Sequence, residues 1–284
     1  MVATKHLKKG VVLMLGFFLT MYMVYLCPLA SRGKSRAQNS LRFLTQVLPE
    51  EYAVMMDILS VVAQTADKAN LTYFLYAGSL LGSYRHHGPI PWDDDIDIIF
   101  DYSDKYKLRD ALKSAEEKGY VLLTPEGDLL EQERAWKVYP RDTGRHVYKI
   151  SKYPHHWPFL DIFFFKGNSS HIYCDMSDPN YTVARSCVFP LIRRPFGDMM
   201  LPAPCSPLKF LQEFDVQQCI TTAWDHRLEI KVPRFKRGNI SCSKLKDYIP
   251  WVSRTDKGRQ VKETLKIGTR VLWSVSLPSN CVCM

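Results

Sequence analysis

Four aspartates occupy five positions, Asp93, Asp94, Asp95 and Asp97, and the chain then runs into Ile98, Ile99 and Phe100. Alternate side chains of a strand share a face. Asp93, Asp95 and Asp97 are therefore expected on one side, with Asp94, Ile96, Ile98 and Phe100 on the core side. Carboxylates two residues apart on one face lie about 7 Å from each other, and each pair repels by about 2 kcal/mol at an effective dielectric near 20. No Lys or Arg stands between Arg85 and Lys105 to offset this. A hard divalent cation, Mg2+ or Mn2+, suits an all-oxygen set of this kind. Upstream, Gly78-Ser79 follows the aromatic run TYFLY and opens a helix, so its backbone N–H groups are placed to cradle a phosphate. Asp161 is the sole charge in the run WPFLDIFFF, and a lone acid in a buried strand must be paired or bound to metal. Metal carboxylates beside a phosphate cradle are the two halves of a site that transfers a phosphorus-centred group.

Other residues carry two readings each. Arg85 is a ligand for a donor phosphate or an anchor for the acid cluster, and Asp161 is a metal ligand or the partner of an arginine. Lys149 reaches the phosphates or lies in solvent. The pairs His86-His87 and His155-His156 invite a metal reading, but adjacent side chains on a strand diverge. Surface or supporting roles are expected for them instead.

The elements that must position these groups follow from periodicity. Residues 49–68 carry apolar side chains at helical spacing behind Glu50 and Glu51. Strands are expected at 72–76, 95–100, 120–123, 135–139, 147–150 and 159–165, and helices at 80–87, with Ser79 as N-cap, and at 103–118. The sequence PRDTGRH reads as a hairpin turn between the strands at 135–139 and 147–150. This order is mixed, and it predicts an α+β fold with helices on one face of a mixed sheet. A loop is expected at 202–207 and a short helix at 208–213.

The formal charge of +9 resembles a nucleic-acid signal, but Lys5, Lys8, Lys9, Arg32, Lys34 and Arg36 carry six of those charges and the remainder is nearly balanced. No nucleic-acid partner is expected. These cations bracket an uncharged apolar segment at 10–31, long enough for a transmembrane signal-anchor, with a cleaved signal peptide as the alternative. The chain is thus divided into a cytosolic tail (1–9), a membrane span (10–31), a stem (32–48), a catalytic domain (49–224) and a basic, cysteine-containing extension (225–284). Four of six asparagines begin N-x-Ser/Thr acceptors, Asn70, Asn168, Asn180 and Asn239, so the body is expected in the lumen. Seven of eight cysteines lie beyond residue 170 and read as disulfides there. The ending Cys281-Val282-Cys283-Met284 formally fits a prenylation box, which a lumenal body would exclude.

The stretch AGSLLGSYRHHGPIPWDDDIDIIF resembles the LicD/fukutin family, whose members carry a G-S-L-L-G…R-H…G…I-P-W-D-x-D-x-D core. FLDIFFF and VFPLIRRPFGDMMLPAP resemble later segments of the same family. The chain departs from bacterial members where it reads FDVQQCITTAWDH, the region in which the acceptor would be recognised. The resemblance implies a nucleotidyltransferase-like fold that moves a phospho-alcohol, such as phosphocholine or ribitol or glycerol phosphate, from a CDP-linked donor to a hydroxyl of a glycan or glycoconjugate. By position it implies Asp95 and Asp97 as metal ligands, Asp161 as third carboxylate, Gly78 and Ser79 as the phosphate turn, and Asp93 as a supporting acid. It also implies a single-span protein of the Golgi or endoplasmic reticulum membrane. Two rivals are an Asp-x-Asp Golgi glycosyltransferase using a UDP-sugar and a non-catalytic lumenal glycan-binding protein on the same fold.

Overall fold

Proline at the first helical position and two acids in the first turn start helix α1, Pro49–Lys68, and the Glu51 carboxylate accepts the backbone N–H of Leu48 at 2.8 Å. Its inward stripe includes Met55, Ile58, Leu59 and Val62, each almost fully buried. The computed structural model describes residues 42–43, 46–124, 135–174 and 182–279 together with Cys281 and Cys283. The expected span at 10–31 and the acceptor Asn180 lie outside the described residues. Among those described, no helix is long and apolar enough to cross a membrane.

The central sheet is built from β1 (Tyr73–Leu75), β2 (Ile96–Asp101), β3 (Tyr120–Leu123), β4 (Trp136–Pro140) and β7 (Leu160–Gly167), in the order β1-β2-β7-β4-β3. Strands β8 (His171–Cys174) and β9 (Thr182–Ala184) extend it from β7. Pairing is antiparallel throughout except between β2 and β7, which run parallel with Asp97 directly opposite Asp161. Helix α2 (Ala77–His86) packs on β2, and α1 packs against α3 (Lys105–Glu117), β4 and β7. The mixed α+β character expected from the sequence is present.

Several local expectations change. Ser79 lies inside α2, whose N-cap is Tyr76, and its hydroxyl accepts the backbone N–H of Asp97 at 2.8 Å. The strand after the aspartates begins at Ile96, so Asp94 sits in coil and escapes the strand alternation that would send it to the core. No hairpin joins the strands flanking PRDTGRH: β4 pairs with β3 and β7, while β5 (Tyr148–Lys149) pairs with β6 (His156–Trp157). The edge of β4 is already taken by sheet partners, which outweighs the turn chemistry.

Beyond the sheet lie α4 (Arg185–Val188), the hairpin β10 (Ile192–Phe196) and β11 (Met199–Ala203), and α5 (Pro207–Phe210). Two small ladders follow, β12 (Gln218–Ile220) with β15 (Asn239–Ser241) and β13 (Trp224–Asp225) with β14 (Ile230–Lys231). The last part forms an antiparallel meander, β16 (Trp251–Asp256), β17 (Gln260–Ile267) and β18 (Arg270–Pro278), unforeseen in the sequence reading. Its turns use Gly258 and Gly268 at φ +79° and +56°, conformations open to glycine. Disulfides join Cys187 to Cys283, Cys205 to Cys281 and Cys219 to Cys242. The prenylation reading is thereby overturned, since the cysteine of the box, Cys281, is already bonded to Cys205. Cys174 is buried on β8.

His86 and His87 are buried, not at the surface. Burial holds the imidazole of His86 down at about 3, and its Nδ1 lies 2.7 Å from the carbonyl of Pro250. His87 meets Glu263 of β17 at 2.7 Å. Arg194 donates to both oxygens of that carboxylate at 2.9 Å, and Arg254 donates at 2.8 Å. Burial alone would raise the Glu263 carboxyl, but the His87 hydrogen bond and the two arginines hold it at about 2. Removing one member of such a buried set strands the others, so Glu263→Gln is expected to destabilise the protein by about 3 to 5 kcal/mol in urea unfolding. A folded-state pKa below the ordinary carboxyl value contributes stability above pH 4.5 that is lost as pH falls toward 2. The variant should lack that part of the acid-side slope, and an unchanged midpoint would refute the role of the cluster.

Candidate metal and transfer site

The parallel register of β2 and β7 sets Asp97 and Asp161 on adjacent strands, each about 7% exposed. Asp95 enters from the coil just before β2, and one oxygen from each of the three carboxylates lies within 4.8 Å of the others. All three donors are hard oxygens, the set that a Mg2+ or Mn2+ ion prefers. Burial and mutual repulsion push Asp97 well above the usual carboxylate range and Asp95 up to about 6, and burial also raises Asp161. Desolvated like charges held together without full compensation fit a bound cation.

The opposing wall is the first turn of α2, where the backbone N–H groups have no acceptor within the helix. A Cβ on Gly78 would stand 2.8 Å from Oδ2 of Asp93 and 3.6 Å from Oδ2 of Asp97, so any larger residue there would press the Asp93 carboxylate out of its place. Ala77 takes φ +38°, an uncommon left-handed conformation that turns the chain sharply from β1 into α2. Gly78, Arg85, Asp93, Asp95, Asp97 and His226 all line one cavity of about 390 Å³. Phe214, Asp215, Gln218, Ile220 and Thr222 form its far side.

Arg85 reaches this cavity but is tied into its wall, donating to the carbonyl of Gln218 at 3.3 Å and to the sulfurs of Cys219 and Cys242. Burial lowers it to about 10 against the pull of Asp215 and Asp93. Ser79 supports Asp97 from behind, as described above. Lys149 is exposed on β5 and does not line the cavity. Asp161 is paired with a lysine, not an arginine: Lys137 of β4 stands opposite it in register and donates to Oδ1 at 2.7 Å. The Lys137 ammonium also lies 3.6 Å from the ring centre of Phe159.

The turn at residues 226–229 adds site residues that no expectation from the sequence included. His226 places Nδ1 2.8 Å from Asp94 and Nε2 3.3 Å from Asp95, while the backbone N–H groups of His226 and Arg227 donate to Asp94. Burial opposes its imidazolium, but Asp95, Asp94 and Asp93 outweigh that and hold His226 at about 10. Arg227 bonds the buried Glu51 at 2.6 Å. Glu229, at φ +52°, lies 3.7 Å from Lys137 and 3.0 Å from His155, and accepts from Trp224 at 2.7 Å. Its carboxyl is raised by burial but held at about 2 by the bonds to His155 and Trp224 and by Lys137. His155 therefore buttresses the site through Glu229, and His156 bonds the carbonyl of Pro140. Only the clustering of His, Arg and Glu in DHRLE hinted at these roles.

The acceptors at Asn70, Asn168 and Asn239 are all exposed.

A cleft walled by converging carboxylates on a mixed sheet defines a cation-type site in a nucleotidyltransferase-like setting. Residues 70–206, just under half of the chain, match the family described as LicD/FKTN/FKRP, nucleotidyltransferase domain. It is 32% identical over 123 residues to the lipopolysaccharide cholinephosphotransferase LicD of Haemophilus influenzae, covering 42% of this chain and 44% of that protein. It is 32% identical over 96 residues to the human ribitol 5-phosphate transferase FKRP, covering 28% of this chain and 19% of that protein. An uncharacterised protein of Rickettsia prowazekii is 26% identical over 141 residues, half of this chain and 46% of its own. The chain thus spans less than half the length of each of these relatives. The metal-type carboxylates and Gly78 fall inside the family match, whereas His226 and Glu229 lie beyond it.

Asp97→Asn should remove a repulsive charge, so at pH 8 without divalent metal the variant is expected to be more stable than the parent by about 1 to 3 kcal/mol. Mg2+ should raise the melting temperature of the parent and leave that of the variant unmoved. A variant less stable than the parent, still stabilised by Mg2+, would contradict the cation site.

Proposed function

We propose that this chain is a metal-dependent transferase that moves a phospho-alcohol from a CDP-linked donor to a hydroxyl of a glycan or glycoconjugate. The observation that carries the reading is the convergence of Asp95, Asp97 and Asp161 within 4.8 Å, facing the glycine-opened first turn of α2. The names of the Haemophilus and human relatives support transfer of a phosphorylated alcohol. They leave phosphocholine and ribitol phosphate as alternative cargoes.

Asp95, Asp97 and Asp161 would hold one or more divalent cations, whose chemistry is to neutralise the diphosphate oxygens and polarise the reacting phosphorus. Around that centre the protein orients. Gly78 lets the donor phosphates come close to the amides of α2, and Lys137 and His226 fix the rotamers of Asp161 and Asp95. The acceptor hydroxyl enters from the side lined by Phe214 and Thr222 and attacks phosphorus in line. A new O–P bond forms, the bond to the CMP oxygen breaks, and Asp93, which lines the cavity outside the trio, takes the hydroxyl proton. Positioning and charge neutralisation supply most of the rate in such a reaction.

The body is assigned to the lumen of the Golgi or endoplasmic reticulum, anchored through residues 10–31. Three exposed glycosylation acceptors and three disulfides support that placement.

The test is CMP release from CDP-choline, CDP-ribitol and CDP-glycerol in the presence of Mg2+, with a UDP-sugar panel run in parallel. Turnover of one CDP donor, reduced at least about a thousandfold in Asp95→Asn, Asp97→Asn and Asp161→Asn, is expected. Gly78→Ala should keep the fold and lose most of the activity, since its methyl group enters the space between helix and acids. Release of UDP alone would overturn the proposal.

A further inference from the structure

The hairpin whose turn carries His226 and Glu229 into the site presents its other side to solvent. Leu228, Ile230 and Phe235 are 55%, 50% and 75% exposed, and Lys231, Arg234 and Lys236 are exposed among them. From Ile230 to Lys246 the chain holds six cations and no acid. This strip is continuous with the cavity rim. Val232 donates to the carbonyl of Ala223 at 2.9 Å, Thr221 donates to that of Gly238 at 3.0 Å, and Gly238 donates back to Thr221 Oγ1 at 2.8 Å. Ile220 and Thr222, on either side of Thr221, line the cavity itself. Trp224 stands at the same edge, 37% exposed, with its indole N–H fixed by Glu229.

We infer that the strip formed by Thr221–Trp224 and Lys231–Gly238 is the binding site for the acceptor, and that the acceptor is an anionic oligosaccharide, bearing carboxylate, sulfate or phosphate groups. The inference rests on the transferase reading, which requires a hydroxyl-bearing substrate to reach the cavity from outside. Charge decides its class. The cavity interior is acidic, with Asp93, Asp95, Asp97, Glu213 and Asp215 in its wall, and repels an anion that has no cation to meet it. The rim is basic and attracts one. A chain whose terminal hydroxyl enters the cavity while its anionic groups trail along Lys231, Arg234 and Lys236 satisfies both. Flat, exposed rings of Trp224 and Phe235 provide apolar faces for sugar rings at small entropic cost. The strip lies wholly outside residues 70–206, the part of the chain that matches the family.

Asn239 stands opposite Ile220 on β15, and a glycan there would cover the rim. The test therefore uses the chain 1–284 carrying Asn239→Gln. Its binding to a sulfated uronate hexasaccharide, to neutral maltohexaose and to phosphatidylserine vesicles is measured by titration. Hydrogen exchange then maps the bound surface. The double variant Arg234→Glu/Lys236→Glu changes only exposed side chains and is measured beside it. The expected result is binding of the acidic hexasaccharide with protection at 220–224 and 231–238, weakened at least roughly fivefold by maltohexaose substitution, by the double variant and by raised salt. Binding of CDP with Mg2+ should be equal in the two proteins. A loss under fivefold in the double variant, protection elsewhere, or capture by vesicles and not by the hexasaccharide would overturn the inference. If CDP with Mg2+ binds neither protein while the saccharide results hold, the strip stands as a glycan site and the transferase reading falls.

Discussion

The pairing of β2 with β7 is the constraint from which the site follows. Parallel register puts Asp97 beside Asp161, and it is enforced by apolar neighbours on both strands, since Ile96, Ile98, Ile99, Phe100, Leu160 and Ile162 are all fully buried. Burying each such side chain favours folding by about 1.5 to 3 kcal/mol, so the strands together far outweigh the few kcal/mol of carboxylate repulsion they impose. A slip of β2 by one residue would turn Asp97 to the opposite face of the sheet, away from Asp161. The core thus specifies the site, and the site spends some of the stability that the core provides.

The remainder of the site answers the charge so created. Lys137 meets Asp161 from the antiparallel neighbour β4, and the turn at 226–229 closes over the coil aspartates. Four consecutive residues of that turn divide their work: His226 holds Asp94 and Asp95, Arg227 holds Glu51 of α1, Leu228 faces outward, and Glu229 engages Lys137 and His155. One tight turn therefore links the acid coil, the first helix and the lysine behind Asp161. Glu263 does the same for the meander, binding His87 at the end of α2 and Arg194 of β10. Residues beyond the family match are built into the site and its supports, not appended to them.

What was legible in the sequence shared one property: the signal was local. Asp97 and Asp161 stood out because each interrupts an apolar strand pattern, Asp95 because it ends a run of acids at the strand mouth, and Gly78 because it breaks the chain between an aromatic strand and a helix. Lys137 was invisible because WKVYP reads as an ordinary strand, and only the register of β4 against β7 makes its ammonium a partner. His226 and Glu229 lie over sixty residues from Asp161, and loop geometry, not periodicity, brings them in. Asp94 was misplaced because a two-residue alternation was extended past the true start of the strand. Of the two roles expected for the histidine pairs, surface or supporting, the buried His86, His87 and His155 take the supporting one, through partners such as Pro250 and Glu229 that no local pattern names.

The cations of the site, Lys137, His226 and the wall-bound Arg85, do not balance its acids. Lys137 is shared between Asp161 and Glu229, and His226 between Asp94 and Asp95, so Asp93 and Asp97 keep their repulsion and are driven toward the protonated form. Any cation that enters must displace those protons, which couples its affinity to pH in the sense of weaker binding in acid. Full neutralisation by another lysine would remove the repulsion and, with it, the field that attracts the ion. The incomplete pairing is therefore the functional state of the cluster: enough fixed positive charge to hold the carboxylates in place, and too little to satisfy them.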